Sequence, residues 1–466
     1  MLLMTRWLRP ALDYIPRWLE FQMRLHRQPG CVIAIAHRGR IVLEQAFGYA
    51  DLGRSLPLTP RHRFRVASHS KSFTAAGILK LRQRHKLQLD DYAGRYVRGL
   101  HPAIARATIT QLLSHSAGII RDGPDSGQWM DRRPFPGDAE LRAALKAAPI
   151  LEANTRFKYS NHGYGLLGLI IEAVAGESYR SWIKREIVDA AGLEETLPDA
   201  PVPRRMPFAR GHSGMLPLGR RLVIPGENPT NAMIAATGFV STAHDLARYY
   251  AQLSPTAGRG TLSLASRREM LRRQWRDPHS SIERYYGLGI ISGAIGAGGP
   301  AGGWEWFGHS GGFQGYITRT STLPAPELTV SVLTNAADGL SHFWHDGAIQ
   351  ILRAFAQNGA PSRRLSGWTG RWWSLWGAVD LVPMGAKVLV ASPALLNPFA
   401  DASEIKVIGR DDGRVALANG YAGHGEPARL VRNRRGRVTE FRLGGGRLLS
   451  EARVAKEIEA RYSKAR

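Results

Sequence analysis

The sequence predicts an α+β protein with two parts. The first is an antiparallel sheet of about five strands flanked by helices with a mostly helical insertion, and the second is a small C-terminal antiparallel β domain. Two β-rich runs near the N-terminus and three near residue 330 are expected to share the sheet, and helical periodicity fills the section between them. After residue 361 only short alternating runs occur. We therefore predict one domain over residues 1–360 and another over residues 361–466.

The N-terminal part begins with a helical pattern over residues 11–27. Two β-rich runs follow, Cys31 to His37 and Ile41 to Phe47, and the short Arg38-Gly39-Arg40 segment between them predicts a hairpin. Apolar periodicity then predicts five helices in the insertion: Phe73 to Leu81, Thr110 to Ser114, Ala139 to Ala147, Tyr164 to Ala175 and Tyr179 to Ala190.

The second half of the first domain returns to the sheet. Residues 198–235 are rich in Pro and Gly and predict a long surface loop of the kind that often carries substrate contacts. Ser241 is the expected N-cap of the helix after it. The remaining predicted elements are helices at Thr242 to Leu253, Leu264 to Arg273 and Phe343 to Ala356, and strands at Tyr285 to Ile291, Gly315 to Thr320 and Leu328 to Thr334.

The chain is strongly basic, with 63 Lys and Arg against 38 Asp and Glu and a formal charge of +25. Such a balance raises the possibility of a nucleic-acid partner. However, the basic residues are scattered, and the densest run, Arg429 to Arg437, contains no aromatic residue for base stacking. We therefore expect no nucleic-acid partner.

Cys31 is the single cysteine, so no intrachain disulfide is possible, as is typical of a reducing compartment. Arg6, Arg9 and Pro10 interrupt the opening apolar residues before a signal-peptide core can form. The longest apolar stretch, Leu166 to Val174, is too short to span a bilayer. We expect a cytoplasmic protein without a membrane span. No metal-ligand pattern is present, so no metal and no cofactor are expected.

Ser68 and Lys71 lie three residues apart at the head of the first predicted apolar helix of the insertion. Residues i and i+3 share one face of a helix, so the amine can reach the hydroxyl. A serine hydroxyl needs an adjacent base to become a nucleophile. A partly desolvated lysine can lose its proton near neutral pH and supply that base. The pair therefore predicts a serine nucleophile.

The same Ser-x-x-Lys spacing occurs twice more, at Ser181 to Lys184 and at Ser403 to Lys406. Ser181 lies inside a charged helical stretch and Ser403 in the β-rich tail, so both are interpreted as ordinary polar surface. Only Ser68 stands at the start of an apolar helix, and further polar motifs follow it later in the chain. We therefore place the predicted nucleophile at Ser68.

Two later motifs can complete a site. A phenol such as that of Tyr159 can shuttle a proton between nucleophile, leaving group and water, and Asn161 can hold a carbonyl or the lysine. The alternative is that Tyr159 packs at a helix entrance with Asn161 as N-cap. In Gly308-His309-Ser310-Gly311-Gly312, adjacent glycines let a substrate lie against bare backbone, and the Gly312 amide can pair with the Ser68 amide as an oxyanion donor.

In this order, Ser68-x-x-Lys71, Tyr159-x-Asn161 and His309-x-Gly311 resemble the motifs of the serine β-lactamase and penicillin-binding-protein superfamily. The similarity is greatest to its branch of class C β-lactamases, esterases and D-aminopeptidases. The stretches from Ile109 to Gly118 and from Thr237 to Leu246 also look like this family. The resemblance covers roughly residues 10–357.

The resemblance implies a β-lactamase/transpeptidase-like fold and acyl transfer in the first domain. Ser68 would attack an ester or amide carbonyl while Lys71 and Tyr159 move its proton, and either of the two could be the base. A small molecule or short peptide would be the substrate. The residues expected to bind it are Asn161, His309, Gly311 and Gly312.

One position departs from the family pattern. Many members carry lysine where His309 stands, and histidine with an ordinary pKa is largely neutral at pH 7. Anchoring of a substrate carboxylate is thereby disfavoured, and esters or amides with a free amine are favoured. Arg319 is a candidate for supplying the missing charge. The alternative function is that of a non-catalytic binding protein that retains the fold.

Overall fold

The structure is a computed structural model that describes residues 6–216, 218–278, 280, 282–296, 303–419 and 423–463. The chain divides into two compact units. Gln28–His345 forms the first, here called the sheet unit. Met1–Arg27 and Asp346–Arg466 together form the second, here called the barrel unit. In this division the N-terminal helix groups with the C-terminal part of the chain, and the sheet unit ends at His345.

The described residues form eleven α-helices, and the predicted helices of both halves are found with ends shifted by a few residues. They are α1 Leu8–Leu25, α2 Ser70–Gln83, α3 Pro102–Ala105, α4 Ile109–Leu113, α5 Asp138–Ala144, α6 Asn161–Ala175, α7 Tyr179–Ile183, α8 Ala243–Gln252, α9 Leu264–Leu271, α10 Ser341–Asn358 and α11 Glu451–Tyr462. None of these helices combines the length and the hydropathy that crossing a bilayer requires.

Thirteen of the described strands belong to the sheet unit. They are β1 Gly30–His37, β2 Arg40–Asp51, β3 Leu56–Pro57, β4 Phe64–Arg65, β5 Gly211–His212, β6 Val223–Ile224, β7 Val240–Ser241, β8 Trp275–Arg276, β9 Arg284–Tyr286, β10 Ile291–Ile295, β11 Trp304–Phe313, β12 Tyr316–Leu323 and β13 Leu328–Thr334.

The large sheet is antiparallel and has nine described strands in the order β3-β2-β1-β13-β12-β11-β10-β9-β8. The predicted α+β class with a mostly helical insertion is confirmed, since α2 to α9 lie between β3 and β10 in the chain. The sheet is wider than the predicted five strands. One reason is that the run from Tyr285 to Ile291 turns back on itself and supplies residues to both β9 and β10.

A second reason is β11, which the sequence analysis treats as a glycine-rich segment before a strand. Gly308 to Gly312 lie inside this strand and pair with β12, for example His309 with Thr320. Pairing with β10 on the other side ends at Gly308, which lies opposite Ile291. In the described part of the chain, the edge of β11 from His309 onward therefore has no strand partner on that side.

The barrel unit contains a closed antiparallel barrel, which confirms the predicted small β domain. Its eight strands are β14 Gly370–Ser374, β15 Gly377–Met384, β16 Lys387–Ala391, β17 Ser403–Val407, β18 Asp412–Leu417, β19 Pro427–Arg432, β20 Val438–Leu443 and β21 Gly446–Leu449. Buried Trp368, Val388, Ile405 and Phe441 are part of its core.

The N-terminal helix α1 belongs to the barrel unit because polar side chains fix it there. The Tyr14 hydroxyl donates to Asp380 at 3.0 Å, and the Trp18 indole donates to the carbonyl of Leu395 at 3.1 Å. The side chain of Gln22 donates to the carbonyl of Pro393 at 2.7 Å. These contacts span more than 360 residues of sequence, so local patterns could not predict them.

Two local predictions need correction. The N-cap of α8 is Thr242 and not Ser241, because the Thr242 hydroxyl accepts from the backbone N–H of Asp245 while Ser241 lies in β7. The predicted helix from Tyr179 to Ala190 is α-helical only to Ile183 and continues as a π-helical segment, Lys184–Asp189. The helix α11 was not predicted; it has no buried residue and therefore shows only a weak apolar face in the sequence.

Candidate active site

Ser68 lies at a sharp change of chain direction. Strand β4 pairs with β7 and leads to Val66, and Ala67 then adopts a left-handed conformation with φ of 47°. Such a conformation is uncommon for a residue other than glycine. It turns the chain into the 3₁₀ segment Ala67–His69 and then into α2. The Ser70 hydroxyl bonds the Ala67 carbonyl at 2.5 Å and accepts from the Phe239 N–H at 3.0 Å, which fixes the turn.

Lys71 is completely buried, and three oxygen atoms surround its Nζ. They are Ser68 Oγ at 3.2 Å, Asn161 Oδ1 at 2.7 Å and the Ala236 carbonyl at 2.8 Å. An ammonium group can donate to all three, whereas a neutral amine donates two protons and keeps a lone pair. Of the three partners, only the serine hydroxyl carries a proton, so the lone pair of a neutral Lys71 would face Ser68.

The protonation of Lys71 is shifted toward the neutral amine. Burial lowers the pKa of Lys71 well below its usual range, because a charge inside the protein loses its hydration. The carboxylate of Asp122 opposes this shift in the pKa, and the guanidinium of Arg121 adds to it. This shift favours the unprotonated amine that the predicted role of Lys71 as a base requires.

Tyr159 is the second hydrogen-bond partner of the predicted nucleophile. Its hydroxyl donates to Ser68 Oγ at 2.9 Å, and its ring centroid lies 4.7 Å from Lys71 Nζ. Burial raises the pKa of Tyr159, so the phenol is neutral and carries its proton at physiological pH. The ring packs on His115 with centroids 4.1 Å apart. Tyr159 thus offers the predicted nucleophile a hydrogen-bond donor that ring packing holds in place.

Asn161 is the first residue of α6, and Ser160 rather than Asn161 is the N-cap, since the Ser160 hydroxyl accepts from the Gly163 N–H. The Asn161 carbonyl oxygen faces Lys71, and its amide nitrogen donates to Asp122 Oδ1 at 2.6 Å. A carboxylate only accepts hydrogen bonds, so Asp122 holds the amide in this orientation. The result is a continuous chain of contacts from Asp122 to Ser68.

Asp122 and Arg121 were not predicted from the sequence. They follow α4 in a loop and form an ion pair with Arg121 Nε 3.1 Å from Asp122 Oδ2. The Asp122 side chain is 10% exposed and that of Arg121 is 61% exposed. The available signal was their position four and three residues after Gly118, in a stretch that resembles the family.

His309 is buried in β11, and its Nε2 lies 3.1 Å from the Tyr286 hydroxyl. Burial lowers the pKa of His309, and the neighbouring His69 and Lys71 lower it further. The imidazole is therefore neutral at physiological pH. The Arg319 guanidinium lies over the Trp306 ring at 5.0 Å, and Arg319 is not among the residues that line the cavity beside Ser68.

The two predicted glycines of β11 differ in their surroundings. A Cβ atom on Gly311 would lie 2.1 Å from the Val66 carbonyl oxygen, so only glycine lets β11 pack against the turn that carries Ser68. A Cβ on Gly312 would have ordinary contact distances, with Ile317 as its nearest neighbour at 3.7 Å. Gly311 serves packing, and Gly312 borders open space.

An open cavity of about 720 Å³, here called the active-site cavity, lies over these groups. Its lining includes five of the predicted site residues: Ser68, Tyr159, Asn161, His309 and Gly312. The other two predicted site residues, Lys71 and Gly311, are not part of the lining. Arg121, Asp122, Ser126 and Ser310 are further polar residues of the lining. Among the residues that the structure describes, no group of three or more His, Cys, Asp or Glu side chains is placed to hold a metal ion.

Comparison with known sequences identifies relatives of this chain. A sequence profile of the Beta-lactamase family matches residues 15–351. Protein flp of Staphylococcus aureus strain N315 is 30% identical over 192 residues, which make up 39% of this chain and 38% of that protein. Penicillin-binding protein 4* of Bacillus subtilis strain 168 is 34% identical over 178 residues, 37% of this chain and 38% of that protein. The chain thus spans less than two fifths of each of these relatives.

Solved structures share the fold. The octameric penicillin-binding protein homologue from Pyrococcus abyssi gives a TM-score of 0.65 at 24% identity, covering 94% of this chain and 100% of that one. A D-stereospecific amidohydrolase from Streptomyces sp. gives a TM-score of 0.58 at 24% identity, covering 70% of this chain and 94% of that one. Since the family profile matches well over half of its residues, the chain belongs to the Beta-lactamase family, within the superfamily of serine β-lactamases and penicillin-binding proteins.

Proposed function

We propose that this protein is a serine hydrolase that cleaves an ester or amide bond through an acyl-enzyme on Ser68. The single observation that carries the proposal is the pair of contacts to one oxygen atom. Ser68 Oγ lies 3.2 Å from the buried amine of Lys71 and 2.9 Å from the neutral phenol of Tyr159. A base and an acid at one hydroxyl are what acyl transfer by serine requires.

In the first step, Ser68 Oγ bonds to the substrate carbonyl carbon and its proton passes to the neutral Lys71. Lys71 is the better candidate for the base, because burial favours its unprotonated form while burial of Tyr159 disfavours the phenolate. The backbone amides of Ser68 and Gly312 would hold the negative oxygen that forms.

In the second step, the bond between the carbonyl carbon and the leaving oxygen or nitrogen breaks. The leaving atom takes the proton of Tyr159 and departs as an alcohol or amine. A proton then passes from the Lys71 ammonium group to the Tyr159 phenolate, whose ring centroid lies 4.7 Å from Nζ, so both groups regain their starting protonation. Water then attacks the ester of Ser68 by the reverse sequence and releases the acid.

The charges around the active-site cavity favour substrates that have no carboxylate next to the scissile bond. His309 is buried and uncharged where a cation would anchor a substrate carboxylate, and Arg121 is already paired with Asp122. Esters and amides with a free amine, including D-aminoacyl amides, therefore fit better than penicillins, whose carboxylate needs a cation.

The test is turnover of a panel of p-nitrophenyl esters, D- and L-aminoacyl p-nitroanilides and nitrocefin. We expect turnover of at least one ester or D-aminoacyl anilide, a loss of at least about 10³-fold in Ser68→Ala, and normal turnover in the matched Ser181→Ala control. Wild-type protein that turns over nothing and takes up no fluorophosphonate would instead indicate a binding protein that retains the fold.

A further inference from the structure

A second, smaller pocket opens beside the active-site cavity. This side pocket has a volume of about 220 Å³. Its lining includes five aromatic residues: Phe157, Tyr159, Trp275, Tyr285 and Tyr286. It shares Tyr159, Ile291 and Ser310 with the active-site cavity, so the two spaces are adjacent. A substrate whose carbonyl lies at Ser68 can therefore extend one of its two ends into the side pocket.

One wall of the side pocket is built on the sheet. Trp275 in β8 pairs with Tyr286 in β9, and Tyr286 pairs with Ile291 in β10. Directly paired residues of antiparallel strands project from the same face, so these three side chains form a row. The rings of Phe157 and Tyr159 stand against it, with centroids 5.4 Å and 6.3 Å from that of Tyr286. Regular secondary structure thus forms the wall in advance of binding.

The lining favours an uncharged aromatic group. Its Asp277 carboxylate is paired with its Arg284 guanidinium, with Nε 3.1 Å from Oδ2, and paired opposite charges leave little net attraction for a charged ligand. Aromatic walls make edge-to-face and stacked contacts with another ring. A cavity of about 150 Å³ with apolar walls holds benzene, so this pocket has room for a phenyl ring with a short linker.

We infer that the side pocket binds an aryl or arylmethyl group on the leaving side of the scissile bond. This inference rests on the function proposed above. Among the described lining residues, the oxyanion donor Gly312 borders the active-site cavity and not the side pocket, whereas Tyr159 borders both. Tyr159 is the proposed proton donor to the leaving atom. The leaving atom therefore lies on the side of the carbonyl group that faces the side pocket.

The first test compares methyl and benzyl esters of one acid, whose alcohols have similar acidity, together with a 4-carboxybenzyl ester. We expect wild-type kcat/KM for the benzyl ester to exceed that for the methyl ester by at least about 10-fold, and the carboxylate to abolish the preference. Trp275→Ala or Phe157→Ala should lower kcat/KM for the benzyl ester about 10-fold and leave the methyl ester within about twofold. Trp275→Phe should restore most of the preference, and Trp376→Ala, at a 96% exposed position, is the matched control.

Two kinetic outcomes would overturn the inference. One is an equal effect of Trp275→Ala on both esters. The other is a preference that follows the acid, so that phenylacetyl is favoured over acetyl with a common methanol leaving group. With acetic acid as the common acid, the methyl and benzyl esters give the same acetyl-enzyme. The rate of its deacylation should be unchanged in Trp275→Ala, because the leaving group has already departed at that stage.

A binding measurement separates this inference from the proposed function. In Ser68→Ala, we expect saturation-transfer NMR to detect benzyl acetate at the site, and Ser68→Ala/Trp275→Ala to lose the signal. Binding that Trp275 controls, without any turnover by the wild type, would refute the proposed hydrolase and leave the aromatic site in place. Turnover at Ser68 with no dependence of binding on Trp275 or Phe157 would refute the side-pocket inference alone.

Discussion

The chain contains the Ser-x-x-Lys spacing at Ser68 and at Ser181, and the two regions differ in almost everything except that spacing. Lys71 is buried, and in the described part of the chain it bonds only to uncharged oxygen atoms, one of which is Ser68 Oγ. The side chain of Lys184 is 35% exposed and forms an ion pair with Asp189. Lys71 has lost the hydration that stabilises a charge, whereas Lys184 keeps part of its hydration and has a carboxylate partner. Burial, rather than spacing, therefore makes the difference between a base and a surface charge.

The third Ser-x-x-Lys occurrence shows that the effect of this spacing depends on the secondary structure in which it lies. Ser403 and Lys406 lie in strand β17, where residues three apart project from opposite faces. The Ser403 hydroxyl accepts from the Asn419 N–H at 3.0 Å, and Lys406 is exposed. A strand cannot bring this amine to this hydroxyl. The turn into α2, by contrast, brings the amine of Lys71 to the hydroxyl of Ser68.

The largest effect should follow from removing the buried amine. We expect Lys71→Ala to lower kcat/KM by roughly 10³-fold, because general base catalysis contributes about 10²- to 10⁴-fold. The matched variant Lys184→Ala should keep wild-type activity to within about twofold, since a surface ion pair contributes little. Circular dichroism and thermal melting confirm that both variants fold. Intact turnover in folded Lys71→Ala would remove the lysine from the mechanism.

The next effect concerns the phenol at Ser68. We expect Tyr159→Phe to lower kcat/KM by roughly 10²-fold, since the leaving atom loses its positioned proton donor. The loss should be smaller for esters of acidic phenols, which depart without a proton, than for esters of alkyl alcohols. Steady-state kinetics on the two ester types measure this difference. An equal loss for both would show that the hydroxyl positions Ser68 and does not donate the proton.

A third prediction concerns the close packing of β11 against the turn that carries Ser68. We expect Gly311→Ala to reduce the free energy of unfolding by about 1–3 kcal/mol, because its Cβ would overlap the Val66 carbonyl oxygen. The adjacent Gly312→Ala should change the free energy of unfolding by less than about 0.5 kcal/mol, because space is open there. Denaturant unfolding of both variants tests the contrast. Equal stability of the two variants would mean that β11 does not press against the Ser68 turn.

The smallest effect is a shift of the pH profile. Lys71 must be unprotonated to act as the base, so kcat/KM rises with pH through its pKa. Asp122 raises the pKa of Lys71, because a nearby negative charge favours the ammonium form. We therefore expect Asp122→Asn to lower this pKa and to move the rising limb of kcat/KM to lower pH. Asp189→Asn beside Lys184 should leave the profile unchanged. A shift to higher pH in Asp122→Asn would contradict the assignment of this limb to Lys71.

The parts of the site that lie close in sequence could be predicted from sequence. Ser68 and Lys71 are joined by one helical turn, so their contact follows from periodicity alone. Tyr159 and Asn161 were identified by their order after this pair and by the resemblance to the family. Their contacts to Ser68 and Lys71 come from the packing of α6 against α2, which no local pattern encodes.

What could not be predicted depends on contacts between distant segments. Asp122 acquires its role only because the loop after α4 passes Asn161, and its sequence surroundings resemble any charged turn. The edge strands β8 to β10 are two to five residues long, too short for a clear alternation of apolar residues. The row of Trp275, Tyr286 and Ile291 therefore emerges only from the strand register.

The most direct test of the account is the site of covalent modification. Intact protein is treated with a fluorophosphonate at several pH values, digested, and mapped by peptide mass spectrometry. We expect the adduct on Ser68 and not on Ser181 or Ser403, at a rate that rises with pH and falls strongly in Lys71→Ala. An adduct on either other serine, or labelling of Ser68 at an unchanged rate in Lys71→Ala, would contradict the claim that the buried lysine makes this one serine a nucleophile.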